Sequence, residues 1–171
     1  MDTTTHHRQS IRKPGFDYSL PGWYFLTLCT AQHRCVLGHI ENAMISRTYL
    51  GELCEKEWLR LPDRFSHIRL DEFVIMPNHL HGIIQILDDI HKTDQTQSFG
   101  YVVRGSTSAI VRSFKISVTR KFKNQTDSIP TKIWQRGYWD RILRSEDELI
   151  ARRQYILNNP YRWDKDQYFQ I

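Results

Sequence analysis

A chain of 171 residues with 40% hydrophobic and 25% charged side chains has the size of one domain and enough apolar material for a core. Its net charge of +5 and pI of about 9.2 favour an acidic partner, nucleic acid first, although a merely basic protein has the same balance. No apolar run reaches the roughly 20 residues of a membrane span, and Met1 to Arg8 lacks the apolar core of a signal peptide. Membrane insertion and secretion are thereby disfavoured, and a cytoplasmic location is expected.

Residues 1–21 are polar and basic, with Arg12 and Lys13, and are broken by Pro14-Gly15 and Pro21-Gly22. They read as an arm that can lie along a phosphate backbone or simply remain loose. Residues 22–171 read as a single domain. Trp23 to Thr30 is aromatic and then alternating, the pattern of a strand. Cys35 to Ile40 reads as its hairpin partner across a turn at Ala31 to Arg34. Cys29, Cys35 and Cys54 are odd in number and lack C-x-x-C spacing, so they are expected as reduced core thiols.

From about Ser46 to Pro62 the period becomes helical, with Leu50, Leu53, Cys54, Trp58 and Leu61 on one face. Pro62 is expected to end this helix. The stretch Asp71 to Ile86 then carries two Val- and Ile-rich strands on either side of Pro77-Asn78. Successive strand side chains point to opposite faces, so His79 and His81 share one face. Two imidazoles so placed can claw a metal ion; a pair of surface histidines on a hairpin is the alternative. Asp88 to Gln97 reads as a loop.

Ser106 to Lys123 is expected as a second helix, apolar along Ile110, Val111, Phe114, Val118 and Phe122. Arg112, Lys115 and Lys123 fall together beside that face, a basic stripe suited to phosphates or to solvent alone. After a loop at Asn124 to Pro130, Ile133 to Arg144 interleaves aromatics with arginines and should end in a strand from about Tyr138. Here Trp134, Arg136 and Arg141 are candidates for stacking bases and gripping phosphates; an edge strand of ordinary β-formers explains the apolar residues equally well. Ser145-Glu146-Asp147-Glu148 is a capping box that opens the last helix. That helix should stop at Asn159, because the residue before a proline disfavours the helical conformation. Tyr155 and Asn159 are one turn apart on one face. The tail from Tyr161 should fold back on the body. Strands and helices in this order fit an α+β fold, a sheet with helices packed on it.

Three stretches together carry a resemblance. Phe73-Val74-Ile75-Met76-Pro77-Asn78-His79-Leu80-His81-Gly82-Ile83 resembles the His-hydrophobe-His signature of the HUH endonucleases. Ile133 to Asp140 and Tyr155-Ile156-Leu157-Asn158-Asn159-Pro160 resemble the later signatures of the REP-associated tyrosine transposases, a single-tyrosine branch of the HUH transposases. The similarity runs from about Ser10 to Trp163. It implies a ferredoxin-like domain with a central antiparallel sheet. It implies that His79, His81 and Asn159 bind a divalent metal, Mg2+ or Mn2+, and that Tyr155 is the nucleophile. It further implies a metal-dependent enzyme that cleaves and rejoins single-stranded, hairpin-associated DNA through a 5′-phosphotyrosine, acting as a monomer or homodimer. A silent descendant that only binds structured DNA or RNA is the alternative. The chemistry is coherent, since a phenol with a pKa near 10 needs an electrophile activated by another group.

Overall fold

The computed structural model describes residues 17–88, 105–125 and 132–169. Arg12, Lys13 and most of the Asp88 to Gln97 loop lie outside them. Strands β1 (Gly22–Cys29), β4 (Ile68–Ile75), β5 (His79–Ile86) and β6 (Trp139–Leu143) form one antiparallel sheet in the order β4-β5-β1-β6. Helix α1 (Tyr49–Leu59) connects β1 to β4, and α3 (Thr107–Gln125) connects β5 to β6. This is the βαββαβ order of a ferredoxin-like fold, as the α+β reading requires. Helix α4 (Glu146–Asn158) follows β6.

The sheet is covered on both sides. Tyr24, Leu26 and Leu28 of β1 and Leu80, Ile84 and Ile86 of β5 face α1 and α3, whose Leu53, Cys54, Trp58, Ile110, Phe114 and Val118 complete the main core. The alternate residues Phe25, Ile83 and Leu143 face Leu149 and Ile156 of α4. A central strand covered on two faces reads as a continuous apolar run, which is why β5 is buried at nearly every position. Tyr18, assigned to the arm by sequence, joins the main core, and its carbonyl accepts from the Thr107 amide at 3.1 Å.

Several local expectations are corrected. The segment after β1 does not pair with it, because β5 and β6 occupy both edges of β1. Instead β2 (Gly38–Glu41) pairs with β3 (Met44–Arg47) across Asn42 and Ala43, whose φ values of 51° and 61° make the tight turn that suits a two-residue hairpin. Pro62 does not stop the helical run. It sits in the first turn of a short helix α2 (Leu61–Arg64), where its missing amide proton is no loss. Asn159 keeps helical angles, φ −60° and ψ −42°, despite the proline after it, and the chain passes directly into a 3-10 helix over Pro160–Lys165. Cys35 is exposed, whereas Cys29 and Cys54 are buried, and none of the three forms a disulfide among the described residues. The Ser145 hydroxyl caps α4, accepting from the Glu148 amide at 3.2 Å, but the Glu148 carboxylate returns to the amide of Arg144 at 2.8 Å, one residue earlier than the capping box requires.

Candidate active site

The histidines lie on the α4 side of β5. In register, His79 opposes Cys29 and His81 opposes Thr27 of β1. Both imidazoles are buried, with centroids 4.4 Å apart. Each is oriented by a neighbour through Nδ1. The Asn78 amide nitrogen donates to two carbonyls, His33 at 3.0 Å and Tyr168 at 2.6 Å. Its Oδ1 is therefore the atom facing His79 Nδ1, at 2.8 Å. A carbonyl oxygen can only accept, so Nδ1 carries the ring proton and Nε2 is left as a bare lone pair. That Nε2 is buried and has no hydrogen-bond partner. His81 Nδ1 meets the Thr27 hydroxyl at 2.8 Å, and its Nε2 meets the Tyr155 hydroxyl at 3.3 Å.

Burial keeps both rings neutral. It pushes His79 down to about 4, with His33 adding to the effect and Asp166 opposing it. It also pushes His81 well below its ordinary value, reinforced by His79 and Arg152. Neutral imidazoles with free lone pairs are what metal ligation requires.

Tyr155 projects from α4 over Phe25 and His81, with ring centroids 6.0 and 5.2 Å away. Burial raises its hydroxyl pKa, and the Asp166 charge raises it further; a hydrogen bond from Asn159 and the charge of Arg152 work the other way. The Arg152 guanidinium lies over the rings of Phe25 and Tyr155, 5.3 and 5.8 Å from their centroids. The tail folds back as expected. Tyr168 packs against His79 and His33, and Asp166 is brought to the histidines.

His79, His81 and Asp166 each place one ligand atom within 4.8 Å of the others. Asn159 donates from Nδ2 to Asp166 Oδ2 at 3.2 Å, and its own Oδ1 is buried without a partner. Two orphaned buried acceptors beside a carboxylate fit a hard or borderline divalent cation. The phenol and the cluster open onto a cleft of about 1080 Å³, walled by Phe25, Trp139, Arg152, Tyr155, Tyr161 and Arg162 among others.

The structure thus gathers Tyr155, His79, His81 and Asn159. It does not gather the remaining candidates. Arg112 and Lys123 are exposed on α3, with the sheet between them and the cleft. Lys115 turns inward and donates to the carbonyls of Gln135 and Gly137. Trp134 is 6% exposed and packs on Phe114, which leaves its ring no face for a base. Arg136 lines a separate shallow groove with Gln32 and Lys132. Arg141 is on the cleft side of β6 but is paired with Glu148 at 2.8 Å. Sequence reasoning passed over Thr27, Asn78, Arg152, Asp166 and Tyr168. Asn78 stood inside the histidine motif, whereas Asp166 had no local signal.

Fold and site define a ferredoxin-like domain that carries a histidine pair and a tyrosine on one face of its sheet. A solved REP-associated tyrosine transposase, bound to a REP hairpin, superposes with a TM-score of 0.59 at 16% identity, over 88% of this chain and 74% of that one. No protein-family model matches the chain. An uncharacterized protein of Haemophilus influenzae is 36% identical over 171 residues, 96% of this chain and 94% of its own length, and the chain belongs to the family of that protein.

Proposed function

We propose that the chain is a metal-dependent single-strand endonuclease and transposase that cuts and rejoins hairpin-associated DNA at Tyr155. One observation carries the reading: the Tyr155 hydroxyl stands 3.3 Å from His81 Nε2, beside the His79, His81 and Asp166 cluster. The likeness of fold to a transposase seen on a REP hairpin supports the choice of DNA.

His79 and His81 would hold Mg2+ or Mn2+ through Nε2, with an oxygen of Asp166 as third protein ligand and Asn159 beside it. The bound cation would supply Lewis-acid polarisation of the scissile phosphate, worth several kcal/mol of transition-state stabilisation. Tyr155 contributes the attacking oxygen. Its bond to phosphorus forms as the bond from phosphorus to the 3′ oxygen breaks, giving a 5′-phosphotyrosine and a free 3′-hydroxyl. The phenolic proton goes to water in the cleft, and the leaving 3′ oxygen takes one up. One phosphodiester replaces another, so the step runs back without ATP. Arg152, held over the phenol, favours the phenolate and is placed to meet a phosphate oxygen. Tyr155 and both histidines come from one chain, which supports action as a monomer.

The test is incubation of the protein with labelled hairpin DNA bearing a single-stranded flank and Mn2+, followed by a denaturing gel. A covalent protein–DNA band is expected, absent for Tyr155→Phe, whose DNA binding should persist. Binding without a band in the wild type would favour the silent descendant instead.

A further inference from the structure

We propose that Trp139 is a base-stacking platform for the single strand whose phosphate lies at Tyr155, an inference that rests on reading the cleft as a DNA-cleaving site. The register places it there. Trp139 of β6 opposes Thr27 of β1, and Thr27 opposes His81 of β5. Residues directly opposite in an antiparallel sheet share a face, so Trp139, Thr27 and His81 form one row across it. Neighbouring strands are about 4.8 Å apart, which puts the Trp139 backbone roughly 10 Å from that of His81. A base seated on its ring therefore belongs to a nucleotide close to the phosphate being cut.

Its neighbours on the same face of β6 are already taken. Leu143 is buried against Leu149 of α4, and Arg141 is tied to Glu148. Trp139 is 49% exposed and lines the cleft with Tyr155. An indole left open beside cationic side chains is the arrangement that single-strand binding sites use, the ring taking a base and the guanidinium its phosphate. Arg152 and Arg162 line the same cleft, and Arg152 has no carboxylate partner among the described residues. Tyr161, 73% exposed, is another open aromatic wall. Trp134, the tryptophan that the sequence favoured, is enclosed and cannot serve. Stacking accepts any base, so Trp139 should add affinity for the flank with little preference for its sequence.

The test uses the full chain, in EDTA so that nothing is cleaved, and a hairpin with a single-stranded flank carrying 2-aminopurine at successive positions. Wild type should quench the fluorophore at one or two positions near the cut. Trp139→Leu, which keeps bulk without a π face, should abolish that quench and weaken binding of the flanked hairpin about 10- to 100-fold. Trp139→Phe should restore most of it, and the affinity of all three proteins for a hairpin without a flank should agree within about threefold. A wild type that binds the hairpin yet quenches no position, or a leucine variant that binds the flank as tightly as wild type, overturns the proposal while leaving the nuclease reading intact. A wild type that binds neither DNA overturns both.

Discussion

The hydroxyl of Tyr155 and Nε2 of His81 are 3.3 Å apart although 74 residues separate them in the chain. The contact joins α4 to β5 across the second face of the sheet, where Phe25 stacks on His81 at 5.2 Å and meets Tyr155 edge-on. A phenol held this way has little freedom to wander from the histidines. The pairing also sets His81 Nε2 between two uses, a hydrogen bond with the tyrosine hydroxyl and, in the proposed metal site, a bond to a cation. Metal binding should therefore release the phenol towards a phosphate.

The donor set can be ranked by titration with Mn2+, read from the loss of free-ion signal in electron paramagnetic resonance. Wild type should bind one ion. His79→Ala removes a bare lone pair and should abolish binding. Asp166→Ala should weaken it at least ~10-fold and by more than Asn159→Ala, because a carboxylate offers charge as well as an oxygen. The reverse order would assign the third position to Asn159.

Asn78 acts on His79 rather than on a cation. Asn78→Ala should lower Mn2+ affinity about 10- to 100-fold, the usual effect of losing a partner that orients a ligand. It also strips two carbonyls of their donor, at about 1–3 kcal/mol for each that stays buried. Asn78→Asp keeps the acceptor for His79 Nδ1 but sets a carboxylate against those carbonyls. Its metal affinity should stay nearer to wild type while its urea midpoint falls.

Much of this architecture was legible because it is local. The alternation through β5 put His79 and His81 on one face, and the helical spacing of Tyr155 and Asn159 put them on another element's single face. What was not legible is non-local. Cys35 to Ile40 looked like a partner for β1 because hairpins are the nearest solution, but β1 is central and its edges are filled by strands far along the chain. Trp134 and Trp139 have the same chemistry five residues apart; only the bridge from Thr30 to Trp134 and the pairing of Thr27 with Trp139 decide which one is enclosed. Asp166 reaches the histidines because the tail docks through Asn78 and Tyr168, and no periodicity reports that.

Lys115 supplies a pH dependence of stability. Burial holds its ammonium down to about 8, with Cys29 opposing. The unfolded chain, with an ordinary lysine pKa near 10.4, keeps its proton over the interval between the two values. The unfolded state therefore binds more protons there, and stability attributable to this group rises with pH from about 8 to 10. Lys115→Met should lack that rise, seen as a difference between the two proteins' urea midpoints across the interval. Because its ammonium already serves two carbonyls, the same substitution should change the salt dependence of DNA binding little.

Gly82 shows how the face behind the histidines constrains the site. It follows His81 on β5 but points to the opposite side, where the Trp58 ring lies flush against the strand. A Cβ there would overlap the indole, and Trp58 is fully buried between Phe73 and Phe114 with no room to retreat. Gly82→Ala should therefore destabilise the fold by about 1–3 kcal/mol, the range for forcing extra carbon into a packed core. Any shift of β5 that relieves the overlap also moves His81 relative to Tyr155. The variant should thus lose Mn2+ affinity as well as thermal stability, whereas Trp58→Phe combined with Gly82→Ala, which shrinks the ring as the methyl is added, should recover part of both.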